Sequence, residues 1–194
     1  ALLSVLSGLG TAQAVAFDLG GGNDKLYYSQ DALIFSQTTL TYDGTDGSGS
    51  LDPDGLGGFD LTGGGTEFGF EIGIGFMDSP FTIEMTVYDA SNSQGLKWSR
   101  ETLTVGGPIF SPTAITLPYG HFGDAPGEVG PNGPASFLNV GAVTVRIQSV
   151  NRGADIEVDY IKSSVVPEPA SILTAVLGAA LCGFGFLRRR NRSK

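Results

Sequence analysis

From Thr66 to Phe76 the chain reads "TEFGFEIGIGF", with Phe68, Phe70, Ile72, Ile74 and Phe76 at every second position and Gly69, Glu71, Gly73 and Gly75 between them. Period two is the repeat of a β-strand with one buried face, and it excludes a helix here. Residues 81–87, "FTIEMTV", repeat the pattern through Phe81, Ile83, Met85 and Val87. Shorter or weaker runs cover residues 32–42, 96–105, 113–117, 142–150 and 154–161. Stretches rich in Gly, Pro, Asn and Asp separate them, among them "MDSP", "DASNSQG", "GGPIFSP" and "GDAPGEVGPNGP". Such residues supply the backbone angles that turns need. Seven or eight strands with no helical pattern between them predict an all-β fold, a β-sandwich of jelly-roll type. Residues 44–65 are the least complex stretch and are expected to form a mobile surface loop or a shallow hairpin. No repeat of 20–50 residues is present, which argues against a solenoid or propeller.

The 194 residues suit one domain with a core of its own. Charge divides the chain. Residues 17–166 hold 19 acidic against 6 basic residues, a net −13. A surface of that sign repels phosphate backbones, so nucleic acid is excluded as a partner; cations and neutral polymers suit it better. The single cysteine, Cys182, lies near the C-terminus, so the β-rich part contains no disulfide. A domain of that size stands without one.

Both ends depart from the strand pattern. Residues 1–10 are uncharged and apolar or small, and lead into "AQA" and "AVA" at residues 12–16. Small-x-small sites after an apolar run mark signal-peptidase cleavage, so residues 1–16 read as a signal peptide lacking its start. A short buried strand or helix of the domain is the alternative. At the far end, residues 171–187 form a 17-residue stretch without charge, followed by Arg188, Arg189 and Arg190. That length is the lower limit for a transmembrane helix, and the arginines would hold the cytoplasmic side.

Val166, Pro167, Glu168, Pro169, Ala170 and Ser171 open this tail. The order of Pro-Glu-Pro motif, apolar segment and basic cluster, residues 165–194, resembles the PEP-CTERM sorting signal of exopolysaccharide-producing bacteria. The resemblance implies processing by an exosortase near the motif, after transient anchoring in the inner membrane, and delivery to the cell surface or extracellular matrix. Two prolines keep the motif extended and accessible, as such processing requires. An ordinary C-terminal membrane anchor is the plainer alternative.

Between the ends, the order of a "DASNSQG" turn, a strand with Trp98, and the runs starting at Ala114, Val140 and Asp155 is similar to that of galactose-binding-like jelly rolls found in carbohydrate-binding modules. The layout carries this resemblance over residues 60–163. It implies a domain at residues 17–164, one structural calcium near the first and last strands, and sugar binding at loops or on a concave face. Asp159 falls where the family's calcium ligand often lies, with Asp18 as its partner.

Asp155, Glu157 and Asp159 alternate along the last strand, with Ile156, Val158 and Tyr160 expected on the other side. Same-face residues are about 6.6 Å apart, so this ladder is either a solvated face or a site for a hard cation such as Ca2+. Spaced carboxylates also occur in glycosidases, but nothing in the pattern marks a buried acid or a cleft. "GGGNDKLYY" overlaps a calcium-binding nonapeptide in one imperfect copy and reads better as a turn, as does "DPDG" at residues 52–55. His121, the only histidine, has no G-x-S-x-G serine to serve. Trp98, Tyr88, Tyr119 and Phe122 are candidates for a sugar-stacking platform, or for packing. These readings converge on an exported, exosortase-processed surface or matrix protein that binds or organises extracellular polysaccharide without catalysis. The alternatives are a purely structural matrix or surface-coat protein and, third, an extracellular glycan hydrolase.

Overall fold

The computed structural model describes residues 2–7, 12–17, 25–44 and 50–164, with side chains described from Lys25 onward. Ten strands follow in chain order: β1 Leu2–Ser7, β2 Ala12–Phe17, β3 Lys25–Gln30, β4 Phe35–Tyr42, β5 Gly69–Met77, β6 Phe81–Asp89, β7 Trp98–Val105, β8 Thr113–Pro118, β9 Val140–Ser149 and β10 Ile156–Ser164. They form two five-stranded sheets, ordered β1-β4-β9-β6-β7 and β2-β3-β10-β5-β8. Every pairing is antiparallel. The all-β sandwich is therefore present, with more strands than the runs suggested. Strand β3 corrects the turn read over "GGGNDKLYY": from Lys25 the chain is extended, and Leu26 and Tyr28 supply the buried face of the strand. The signal-like segment appears as β1 and β2, each at a sheet edge. Residues 165–194, with the sorting motif and the apolar segment, lie outside the described residues. Among the described residues no helix is long and apolar enough to cross a membrane.

Period-two alternation turns one row of each strand inward. Phe81, Ile83, Met85 and Val87 of β6 meet Val143, Val145 and Ile147 of β9 in one sheet, and Leu26, Phe70, Ile72, Ile74, Ile156 and Val158 face them from the other. Each such side chain contributes about 1.5–3 kcal/mol on leaving water. Tyr28 spans the layers, edge-on to Phe81 at 5.7 Å. Its hydroxyl pairs with Ser36 and donates to Gln30 Oε1 at 3.1 Å, and Gln30 Nε2 donates to Ser149 Oγ at 2.9 Å. These buried polar groups thus satisfy one another across β3, β4 and β9.

Two expectations are corrected. The β5 alternation breaks at Gly75: Val158 pairs with Ile74 but Glu157 with Phe76. The bulge carries Phe76 to the outer face, where it packs against Phe110 at 5.9 Å, and Met77 enters the core in its place. A second irregularity at Asp159 brings Tyr160 onto the face of the acids, over Gly73, so Tyr160 does not continue the Ile156–Val158 row. Residues 50–65 are also pinned rather than loose. Leu56 N–H donates to Gly141 at 2.8 Å, and Phe59 and Val140 exchange two backbone bonds at 2.8 and 2.9 Å.

Candidate functional site

Outward positions of the first sheet fall into rows set by register. Tyr88 of β6 stands opposite Trp98 of β7; Thr144, Thr86 and Arg100 form the next row; Thr39, Arg146 and Glu84 form the one after. Adjacent strands lie about 4.8 Å apart and rows about 6.7 Å, so neighbouring side chains touch. Together they line a groove of about 480 Å3, walled on one side by Leu51, Pro53, Gln94 and Gly95.

Local sequence explains the wall. Gly141 of β9 lets the 51–58 loop lie on the sheet: a Cβ there would stand 2.0 Å from the Pro53 carbonyl oxygen. Asp43, 5% exposed, closes the loop's base by accepting the Asp52 N–H at 2.7 Å. The turn that brings Gln94 and Gly95 to the same wall is anchored by Asp89, 1% exposed. Its carboxylate takes Lys97 at 2.8 Å, the Ser91 and Ser136 N–H groups each at 2.9 Å, and Asn139 Nδ2 at 3.1 Å. Burial alone would raise its pKa, but these donors outweigh burial and hold the carboxyl well below the usual carboxylate range.

Trp98 is held from two directions. Residues 128–132 run along the edge of β7, with Gly130 N–H donating to Trp98 O at 2.9 Å and Arg100 N–H to Glu128 O at 2.9 Å. Gly130 lies against the indole so closely that a Cβ would meet Trp98 Cδ1 at 2.7 Å. The Arg100 guanidinium sits over the ring, 5.0 Å from its centroid. Tyr88 beside it has its phenol pushed above its ordinary pKa by burial, so it is a neutral donor and acceptor at neutral pH. Arg146 donates to Glu84 Oε2 at 2.7 Å, and Arg100 Nη1 approaches the same oxygen at 3.4 Å.

Of the four aromatic candidates, the structure brings Trp98 and Tyr88 together and sends the other two elsewhere. Tyr119 stacks on Phe137 at 4.3 Å, donates its hydroxyl to Leu61 O at 3.0 Å, and meets Phe70 edge-on. Phe122, 7% exposed, packs against Phe70 and Phe137. Both close one end of the sandwich. Glu84, Arg100, Arg146 and the threonines were not singled out from sequence. The available signal was the polar outward row of each strand, but only register shows that the rows converge.

The carboxylate ladder divides differently. Glu157 and Asp159 share Lys25, which pairs with Glu157 and lies 3.0 Å from Asp159 Oδ1. The hydrogen bond that the ammonium donates to Glu157, with the Asp159 carboxylate paired beside it, holds the Lys25 pKa above its ordinary value. Gly75 makes room, since a Cβ there would be within 3.0 Å of both carboxylates. Asp155 does not share Lys25; its backbone N–H donates to Asp78 Oδ1 at 2.8 Å. Asp18 lies outside the described residues. Among the described residues no group of three or more His, Cys, Asp or Glu is placed to hold a metal.

No family model matches the chain, and no curated protein matches it. Among solved structures it is similar to a family 11 carbohydrate-binding module of a cellulosomal cellulase of Clostridium thermocellum, at 14% identity and a TM-score of 0.44, over 84% of this chain and 88% of that one. A family 61 module in complex with β-1,4-galactotriose gives 9% identity and a TM-score of 0.36, over 84% and 88%. An exo-β-agarase gives 12% and 0.44, over 85% of this chain and 23% of the agarase chain.

Proposed function

We propose that this chain is an exported surface or matrix protein whose β-sandwich binds extracellular polysaccharide in the Trp98–Tyr88 groove, without catalysis. One observation carries the reading: two aromatic rings stand side by side at one end of an open groove floored by hydroxyl and guanidinium groups. Flat apolar faces suit pyranose rings, and ringed hydroxyls suit Thr and Arg donors. Gly130 and Arg100 hold the indole in place before any ligand arrives, which lowers the ordering cost of binding. The groove lining contains one carboxylate, Glu84, engaged by two arginines. Glycoside hydrolysis uses a carboxyl pair, so the groove is read as a binding site.

Export and exosortase processing rest on the sequence of the two ends. In this reading Val166–Ser171 are the recognition strip, residues 171–187 the transient inner-membrane anchor, and Arg188–Arg190 its cytoplasmic stop. Trp98 is the only tryptophan in the chain, so its fluorescence reports on this groove alone. Titration of the full chain with soluble exopolysaccharide should change that emission saturably. A flat titration would argue for the structural-matrix alternative.

A further inference from the structure

Whole-domain charge favours neutral polymers, yet the groove departs from the surface around it. Residues 17–166 contain six basic side chains in all, and two of them, Arg100 and Arg146, line this groove. Glu84 is its only acidic lining residue, so the lining carries a net positive charge on a strongly acidic domain.

The guanidiniums are also differently committed. Arg100 is tied down: its Nη2 donates to Gly127 O at 2.7 Å, its Nη1 leans on Glu84, and its plane covers Trp98. Arg146 spends one nitrogen on Glu84 Oε2 and has a side chain 40% exposed. Glu84, at 16%, lies deeper and fixes both. A guanidinium carries five donors in a planar fork, a shape that matches a carboxylate bidentately. Arg146 therefore presents oriented donors to the groove two rows, or about 13 Å, from the aromatic pair.

Building on the polysaccharide reading, we infer that the groove selects acidic polysaccharide, with one sugar carboxylate received by Arg146 while a neighbouring ring lies against Trp98 and Tyr88. The acidic remainder of the domain does not forbid this. Beyond a Debye length of about 8 Å at physiological ionic strength its repulsion is largely screened, whereas a charge-assisted hydrogen bond acts at contact.

The test titrates the full chain at 0.15 M salt, about physiological, following Trp98 emission. The probes are polygalacturonate and polymannuronate, each beside its carboxyl-reduced form, with a neutral β-glucan as a further arm. At least one acidic polymer should bind about tenfold or more tighter than its reduced form, the worth of one charge-assisted bond. Arg146→Gln should erase that preference, so that in the variant the acidic polymer binds no tighter than its reduced form; this side chain is exposed enough for the fold to tolerate the change. Equal affinity for acidic and reduced polymers, or a preference that survives Arg146→Gln, overturns the inference and leaves the glycan groove standing. Binding of no polymer at all, β-glucan included, overturns both.

Discussion

Asp89 shows how one residue holds the groove together. Its carboxylate joins the end of β6 to Ser91, Lys97, Ser136 and Asn139. Asp89→Asn keeps the shape but removes the charge those donors face, and should cost about 3 kcal/mol, the scale for breaking a buried pair. Because the folded pKa is depressed below the ordinary 3.8, the ionised form favours folding. Its contribution is fully present above that value and is lost as pH falls below it. Denaturation midpoints of the wild type should therefore begin to drop below about pH 4 and keep falling as pH descends toward the depressed folded pKa, and the gap to Asp89→Asn should narrow over that descent. A gap that stays constant would remove Asp89 from this role. Gly130 acts more locally. Gly130→Ala should displace the indole and, because a Cβ would also stand 2.4 Å from the Leu96 carbonyl oxygen, the backbone beside it, shifting Trp98 emission and weakening glycan binding about tenfold at a cost of about 1–3 kcal/mol in stability; unchanged emission would mean that Gly130 does not set the ring.

At the scale of elements, the long alternating runs were legible because one face of each is buried. Phe81–Val87 carries its core row unbroken. Phe68–Phe76 does not, because a bulge at Gly75 reverses the faces, and a bulge answers to the partner strand rather than to the run itself. Trp98 and Tyr88 could be named from sequence as aromatics at strand positions, but Arg146 lies 48 residues from Trp98 and 58 from Tyr88 and reaches them only through β9–β6 pairing. The Asp155–Glu157–Asp159 spacing was visible, whereas Lys25, which answers two of its charges, lies on a strand that the pattern did not mark. Lys25→Gln should then lower the melting temperature modestly, and EDTA should leave it unchanged. A fall with EDTA would give those carboxylates a calcium ion after all. Gly141→Ala tests the wall: a Cβ 2.0 Å from the Pro53 oxygen must displace the 51–58 loop, at about 1–3 kcal/mol, and the groove with it.

For the whole molecule, the two faces of the sandwich have different work. Both N-terminal strands lie at sheet edges, and the described core begins at Leu26. Removal of residues 1–16, as signal cleavage requires, should therefore leave a cooperatively folding sandwich; loss of the thermal transition would make β1 and β2 part of the mature fold. The outer face of the second sheet carries Lys25 paired with Glu157 and Asp159, and Glu71 paired with Tyr160 and Lys162, and the groove lies on the first. The account is tested most directly by co-sedimentation of the full chain with bacterial exopolysaccharide, using wild type, Trp98→Ala and, on the opposite face, Tyr160→Ala. Saturable retention of wild type and Tyr160→Ala, with Trp98→Ala left in the supernatant, is the predicted result. Retention of all three alike, or of none, would contradict it.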